Sequence, residues 1–335
     1  MQIDVVVDLQ FGDCGKGKVS KWLAEENSYW GVAKYNGGPN AGHGVWLNGE
    51  KHTAHMLTSG VYSPTSKVVI GPGCVLNVEK FLKELDDFEA FNIKDRVLVH
   101  PNTHIITPSH ITKDSNDTII GTTKQGVGPT YADKMLRVGT RALDVPELQD
   151  YLLDPLILQQ ESLGNLLMEG SQGWWLDLDN GFYPYVTSSN VHPAHALSTF
   201  GLPIQALRKV YGVGKVYETY VGNSTDLVVC SQQDEEVIRQ AGAEYGETTG
   251  RARKIGYINL PRLIQACNST GTSVLVLNKM DILEEVGIFK TIHQEDQPPT
   301  SYKNSNEFRS AIVKQLNTNC RYLSQIIFSG NKETL

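Results

Sequence analysis

The first thirty residues constrain the fold most tightly. IDVVVDL, residues 3–9, is a short β-branched run that ends at a glycine-rich stretch, GDCGKGK, residues 12–18. KVSKWLAEEN follows with helical spacing, placing Val19, Trp22 and Leu23 on one face. That order reads as a buried strand, a glycine loop and a helix. Such a turn lets backbone N–H groups and a helix N-terminus face phosphate oxygens. Gly12, Gly15 and Gly17 supply room, and Lys16 and Lys18 supply charge. The spacing from Gly12 to Lys18 is that of a P-loop, yet Val19 stands where a P-loop has the Ser or Thr that binds magnesium. Asp13 lies inside the loop, where a carboxylate would repel phosphate. It therefore predicts an intervening magnesium ion, a proton-accepting role, or both.

Further strands are expected in SKVVIGPG, DRVLVHP, VGKVYETYVG, SVLVLNK and YLSQIIFSG. Helices are expected in NVEKFLKELDDF, VPELQDYLLDPLILQQESLGNLL, INLPRLIQACN and NEFRSAIVKQL, and Asn48-Gly49 marks a hairpin. This alternation predicts an α/β fold with a mainly parallel central sheet flanked by helices and a modified P-loop after the first strand. Nothing in composition or repeats divides the chain, so residues 1–335 are expected to form a single α/β domain. A net charge of -7 argues against a nucleic-acid partner, and five scattered cysteines without CxxC spacing read as reduced thiols. No run reaches transmembrane length, so a soluble, cytoplasmic protein with no membrane partner is expected.

Five more segments carry polar groups suited to nucleotide chemistry. YNGGPNAGHGV, residues 35–45, leaves open backbone around Asn40, Gly42 and His43. IGTTKQGVGPTYADKMLRVGTR, residues 120–141, sets Thr122 and Thr123 beside glycines with Arg137 further on, a combination suited to a phosphate monoester. EGSQGWWLDLDNGFYPYVTSSN, residues 169–190, holds Gln172 and Thr187. YGETTGRARKIG, residues 245–256, gathers Thr248, Thr249, Arg251 and Arg253 into a set for carboxylate or phosphate. VLVLNKMD, residues 274–281, ends an apolar strand in the N-K-x-D pattern that reads guanine in GTPases. Taken singly, each also fits an ordinary turn or solvated loop.

Together the segments resemble the adenylosuccinate synthetase family. GDCGKGK is similar to the family's G-D-E-G-K-G-K, NGGPNAGHG to G-G-x-N-A-G-H-T, and GTTKQGVGP to G-T-T-x-x-G-I-G-P. EGSQG, YPYVTSSN, TTGRARK and NKMD follow in the family's order. The resemblance implies a ligase that joins L-aspartate to C6 of a 6-oxopurine nucleotide through a 6-phosphoryl intermediate. It implies Mg2+ at Asp13 and the Gly42 carbonyl, with Asp13, His43, Lys16 and Gln172 in catalysis. Asn40, Thr122, Thr123, Gln172, Thr187 and Arg251 would hold the nucleotide monophosphate, and Arg137 would reach it from the other subunit of a homodimer. Val221, Thr248, Thr249, Arg251 and Arg253 would hold aspartate. Gly12, Gly15, Lys16, Gly17, Lys18, Gly42, Asn278, Lys279, Asp281, Ser329 and Gly330 would hold the triphosphate donor.

The chain departs from the cellular pattern at several points. VGNSTDLVV replaces a proline-rich segment, Gly44 follows the motif histidine, and Cys14 takes a glutamate's place. The opening VVVDLQFGD is more similar to the family's phage-encoded 2-aminoadenylosuccinate synthetase branch, although some phage members carry serine where this chain keeps Asp13. The resemblance therefore favours dGMP as substrate, in host cytoplasm, en route to 2-aminoadenine DNA. IMP with GTP is the alternative, and a regulatory GTPase a remote one. ATP, dATP and GTP all remain open as donor.

Overall fold

The computed structural model describes residues 1–47, 50–160, 164–224, 226–246 and 250–330. Strand β1 (Ile3–Asp8) is buried along its whole length, and helix α1 (Lys16–Glu26) and strand β2 (Tyr29–Lys34) follow the glycine loop as expected. Eight strands form the main sheet, in the order Gln325–Phe328, Val274–Asn278, Leu207–Lys215, β1, Asn165–Gly173, β2, Lys67–Ile70, Val97–Val99. Every neighbouring pair is parallel. After β1 the chain builds outward to one edge, returns to insert Asn165–Gly173 beside β1, and then builds to the other edge. This reversal flanks β1, and in an open parallel sheet such a reversal opens a crevice at the carboxyl ends of the strands.

Both faces of the sheet are covered, which is why its strands read as continuous apolar runs. Val6 packs in one cluster with Val19 and Leu23 of α1. Ile3 and Val5 point the other way, into a cluster with Ala196 and Leu197 of the helix Pro193–Thr199. Asp4 and Asp8 are the charged residues of this buried strand, and the Asp4 carboxylate accepts from the Tyr29 hydroxyl at 2.5 Å and from the Arg208 guanidinium. A smaller sheet joins Tyr217–Tyr220, Lys254–Asn259, Lys290–Ile292 and Thr300–Ser301. The hairpin expected around Asn48-Gly49 pairs His43–Leu47 with Glu50–Ala54, although the two turn residues lie outside the described part. Among the described residues, no helix is long and apolar enough to cross a membrane.

The long helix expected over VPELQDYLLDPLILQQESLGNLL is not formed. Short 3-10 turns occupy Pro146–Tyr151 and Pro155–Gln159, and the segment's end enters the central strand Asn165–Gly173. Pro155 cannot donate to a preceding turn, and its ring blocks helix continuation. Leu166, Leu167 and Met168 are fully buried on both faces of the sheet, so the strand shows no alternation that would mark it.

Glu218, in the smaller sheet, is buried, and neither of its carboxyl oxygens has a hydrogen-bond partner among the described residues. Burial pushes its pKa up to about 8, against the pull of Arg262. An acid raised on folding binds a proton as the chain folds, between its unfolded value and about 8. Its contribution is intact at acid pH and declines as pH rises through that window, with a slope of up to about 1.4 kcal/mol per pH unit. Glu218→Gln removes this slope. Thermal melts from acid to alkaline pH are expected to show the variant gaining on the parent as pH rises; parallel curves would contradict the assignment.

Candidate functional site

Asp8 ends β1 and turns its carboxylate into the following loop. It accepts from the backbone N–H of Gln10 at 2.9 Å, Gly12 at 3.3 Å and Cys14 at 3.0 Å, and Lys16 Nζ lies 3.4 Å away. The loop can wrap this group because Gly12, Asp13 and Gly15 all have positive φ, at 91°, 57° and 93°. At Gly15 a side chain is excluded twice, by φ and by Asn278 Nδ2, which a Cβ would meet at 2.8 Å. Cys14 faces inward, and its thiol donates to Gln10 Oε1 at 3.1 Å. Burial, aided by Asp8, pushes that thiol's pKa well up, so Cys14 is a packing residue beneath the loop. No side chain caps the first turn of α1, which leaves its N-terminal amides suited to an anion.

The strands beside β1 bring the loop its neighbours. Lys16 Nζ also donates to the Gln172 carbonyl at 2.7 Å, at the end of Asn165–Gly173. Gln172 has φ 66°, and its buried Nε2 has no partner among the described residues. On the other side, Asn278 Nδ2 donates to the Cys14 carbonyl at 2.7 Å, so this residue of the NKMD motif holds the loop. Lys18 Nζ donates to Ser329 Oγ at 2.6 Å and to the Gly330 carbonyl at 2.7 Å. The Met280 N–H donates to the Ser329 carbonyl at 3.1 Å, and a Cβ on Gly330 would lie 3.4 Å from the Asp281 carboxyl carbon. Lys18 of the loop, Asp281 of NKMD, and Ser329 and Gly330 thus lie together. Burial lowers Lys18 to about 8 despite Asp281.

The Asn36–Gly42 segment lies on the other flank. Asn36, buried, accepts from the Ser171 N–H at 2.8 Å and donates to the Asn190 carbonyl at 3.1 Å, tying the segment to the Gln172 strand end. Asn40 Oδ1 accepts from the Gly38 N–H at 3.3 Å. Gly42 leads into the hairpin, where His43 pairs with Ala54. The His43 side chain, like Thr248 and Thr249, lies outside the described part.

Thr122 and Arg251 line a cavity of about 430 Å³ with Val221, Tyr220, Lys124 and Lys254. This brings together Thr122, expected at the monophosphate, Val221, expected at aspartate, and Arg251, expected at both. Thr123 is held beside it, its carbonyl accepting from Gln125 Nε2 at 3.3 Å. Thr187 is half-buried, with its N–H on the Leu176 carbonyl at 2.7 Å. Arg137 stands apart: it ends the helix Val127–Leu136 in an exposed left-handed turn, flanked by Met135, Leu136 and Val138, which are 73%, 66% and 69% exposed.

Arg253 joins the loop to the smaller sheet. Its Nη2 donates to Asp13 Oδ2 at 2.7 Å and its Nη1 to Glu244 Oε2 at 2.5 Å. Asp13 remains 44% exposed in this pair, while Glu244 is fully buried. Sequence reasoning missed Asp8, Asn36, Lys215 and Glu244. Asp8 had a signal, an acid closing a β-branched run just before the glycine loop; Lys215 lies inside an expected strand and Glu244 one residue before the YGETTGRARKIG segment, and nothing local singles out either charge.

An all-parallel sheet with a glycine loop at its point of reversal, and cations gathered around that loop, defines a nucleotide-phosphate site. The profile of the adenylosuccinate synthetase family matches residues 5–154 and 147–313. Among similar proteins, the adenylosuccinate synthetase of Helicobacter pylori (strain HPAG1) is 33% identical, covering 86% of this chain and 80% of that protein. That of Helicobacter hepaticus is 34% identical, covering 90% and 86%. The chain belongs to the adenylosuccinate synthetase family, and is thus a carbon-nitrogen bond-forming ligase of purine biosynthesis. In fold it is similar to the fully ligated adenylosuccinate synthetase from Plasmodium falciparum, with a TM-score of 0.88 at 24% identity over 98% of this chain and 97% of the other. It is also similar to the succinoaminodeoxyadenylate synthetase of cyanophage S-2L bound to dGMP and dATP, with a TM-score of 0.72 at 21% identity over 94% and 99%.

Removing the Asp8 carboxylate orphans three backbone N–H groups and leaves buried Lys16 without its counter-charge. Asp8→Ala is expected to lower the stability measured by urea unfolding by about 3 kcal/mol. A change within about 0.5 kcal/mol, the range of an ordinary surface substitution, would contradict this role.

Proposed function

We propose that the chain joins L-aspartate to C6 of dGMP, with phosphoryl transfer from a nucleoside triphosphate. The observation that carries the reaction is the convergence of Asp13, Lys16 and Gln172 at the carboxyl ends of the central strands, between the NKMD segment and the Thr122–Arg251 cavity. A purine 6-oxo group leaves poorly, and phosphorylating it turns it into a good leaving group. In this reading Asp13 accepts the N1 proton while O6 takes the γ-phosphoryl group. The aspartate amine then adds at C6, and inorganic phosphate departs with the former O6. Lys16 would turn from Asp8 and the Gln172 carbonyl toward the transferring phosphoryl group, whose negative charge it and His43 would stabilise.

Mg2+ fits the loop. Among the described residues no three acidic, histidine or cysteine side chains cluster as a metal cage. Magnesium needs none, since it is commonly held by one or two carboxylates together with substrate phosphates. Asp13 offers an exposed carboxylate at the loop's mouth, and the Gly42 carbonyl would be the second protein ligand. When bound, the ion would neutralise charge on the phosphates. Asp13 must first leave Arg253, which frees that guanidinium for the carboxylates of aspartate.

The remaining roles follow the family pattern. Asn40, Thr122, Thr123, Gln172, Thr187 and Arg251 would hold the monophosphate, and Val221, Thr248, Thr249, Arg251 and Arg253 would hold aspartate. Gly12, Gly15, Gly17, Lys18, Asn278, Lys279, Asp281, Ser329 and Gly330 would hold the donor. Arg137 would act across a homodimer, a reading supported by the exposed Met135, Leu136 and Val138 around it. The whole chain, residues 1–335, would serve as one catalytic domain.

The VVVDLQFGD opening and the likeness to the cyanophage S-2L protein support dGMP, with ATP or dATP as donor. IMP with GTP is the second reading, favoured by the adenylosuccinate synthetases at 33–34% identity and by the higher TM-score of the Plasmodium enzyme. Aspartate-dependent phosphate release, measured with dGMP, GMP and IMP against ATP, dATP and GTP, separates the two. Turnover with dGMP is expected; turnover with IMP alone would overturn the dGMP reading. Asp13→Ala is expected to lower kcat by roughly a hundredfold or more in the same assay. Mixing Asp13→Ala with Arg137→Ala protein should restore part of the activity, and no restoration would argue against a shared site.

A further inference from the structure

Glu244 takes no part in the chemistry proposed above, yet its buried carboxylate accepts four hydrogen bonds, all from side chains. Lys215 Nζ donates to its two oxygens at 2.9 and 2.8 Å, the Tyr217 hydroxyl donates at 2.7 Å, and Arg253 Nη1 at 2.5 Å. Lys279 Nζ lies 3.9 Å from Oε1 and donates to the Gly242 carbonyl at 3.0 Å. Three cations therefore face one buried anion. Two of them are substrate groups in the reading above: Arg253 for aspartate and Lys279 for the donor base.

The backbone explains how one residue reaches both. Lys215 ends one central strand, Asn278 ends its neighbour, and the two are paired in register, so Lys279 follows directly beside Lys215. Glu244 approaches from the root of the turn that carries Arg251 and Arg253. There the Arg253 N–H donates to the Glu244 carbonyl at 3.0 Å, Tyr245 and Ala252 form a bridge, and the Gly246 N–H donates to the Arg251 carbonyl at 2.8 Å.

We propose that Glu244 is a positioning residue that couples the aspartate pocket to the donor-base pocket, by fixing Arg253 with one oxygen and holding the charge of Lys279 beside the other. This rests on the site roles assigned above. Removing the charge would leave Lys215, Arg253 and Lys279 facing one another. Burial already lowers Lys279 to about 8; Glu244 and Asp281 oppose that fall, while Lys215 and Arg253 add to it. Glu244 itself is held at about 2, because Lys215, Lys279 and Arg253 outweigh the burial that opposes its ionisation. It therefore stays charged across the working range, and the pH response belongs to Lys279.

The test is steady-state kinetics of the full chain from pH 6.5 to 9.5, varying aspartate and donor separately. Glu244→Gln keeps the shape of the side chain and is expected to raise the KM for aspartate roughly tenfold, the loss of a charged hydrogen bond. It should also move the alkaline fall of donor kcat/KM to lower pH. Glu244→Asp keeps the charge but shortens the reach, so it should raise the aspartate KM and leave the pH limb in place. If Glu244→Gln does not fold, the aspartate KM of Glu244→Asp decides, and an unchanged value overturns the coupling. A Glu244→Gln effect on one substrate alone, or on kcat alone with both KM values and the pH limb unmoved, also overturns it. Arg253→Met and Lys279→Met, run in parallel, test the site roles independently: if neither changes its own substrate's KM, the site reading has failed, whatever the Glu244 variants do.

Discussion

The site depends on a carboxylate placed where phosphate chemistry would least invite one. Asp8 sits at the end of the central strand, fully buried, and collects three backbone N–H groups and the ammonium of Lys16. A carboxylate buried this deeply is stable only with such partners. Its demand for donors fixes the curvature of the loop, which forces positive φ at Gly12, Asp13 and Gly15. That curvature turns Cys14 into the core and Asp13 outward to Arg253. The absence of a hydroxyl at Val19 then has no consequence for the loop's shape, since Val19 packs against the sheet with Leu23.

A second buried carboxylate, Glu244, performs a matching task on the other wall. Both acids bind cations that the proposed reaction would use, Lys16 in one case and Arg253 and Lys279 in the other. Cations of the site thus have partners within the chain. Lys16 rests on Asp8 and the Gln172 carbonyl, and Arg253 rests on Asp13 and Glu244. Substrate phosphates and carboxylates would replace some of these partners, so binding would exchange ion pairs and create few new ones. Such exchange favours specificity over raw affinity, because a ligand with misplaced charge leaves a buried cation unmatched.

Much of this was legible in the sequence. The strand, glycine loop and helix formed where the apolar run, the glycines and the helical spacing put them, and the parallel sheet followed from the alternation of elements. The convergence of NKMD with Ser329 and Gly330 was legible through family resemblance. The strand Asn165–Gly173 was hidden, because a strand buried on both faces loses the alternation that marks strands, and its Leu and Met residues suit helices equally well. The buried charge partners were hidden for another reason. Glu244 meets Lys215, 29 positions earlier, and Lys279 comes from a different strand end, so no local pattern announces the cluster. Burial is a property of the assembled fold, and a lone glutamate in a polar segment looks solvated until the sheet closes over it.

In the proposed reaction the purine oxygen leaves as phosphate, after phosphorylation at the carboxyl ends of these strands. Isotope transfer tests it directly: the nucleotide substrate carries oxygen-18 at position 6, and the inorganic phosphate formed in the aspartate-dependent reaction is analysed by mass spectrometry. The expected result is one labelled oxygen in each phosphate released. Unlabelled phosphate, with the heavy oxygen recovered in water or retained in the nucleotide product, would contradict it.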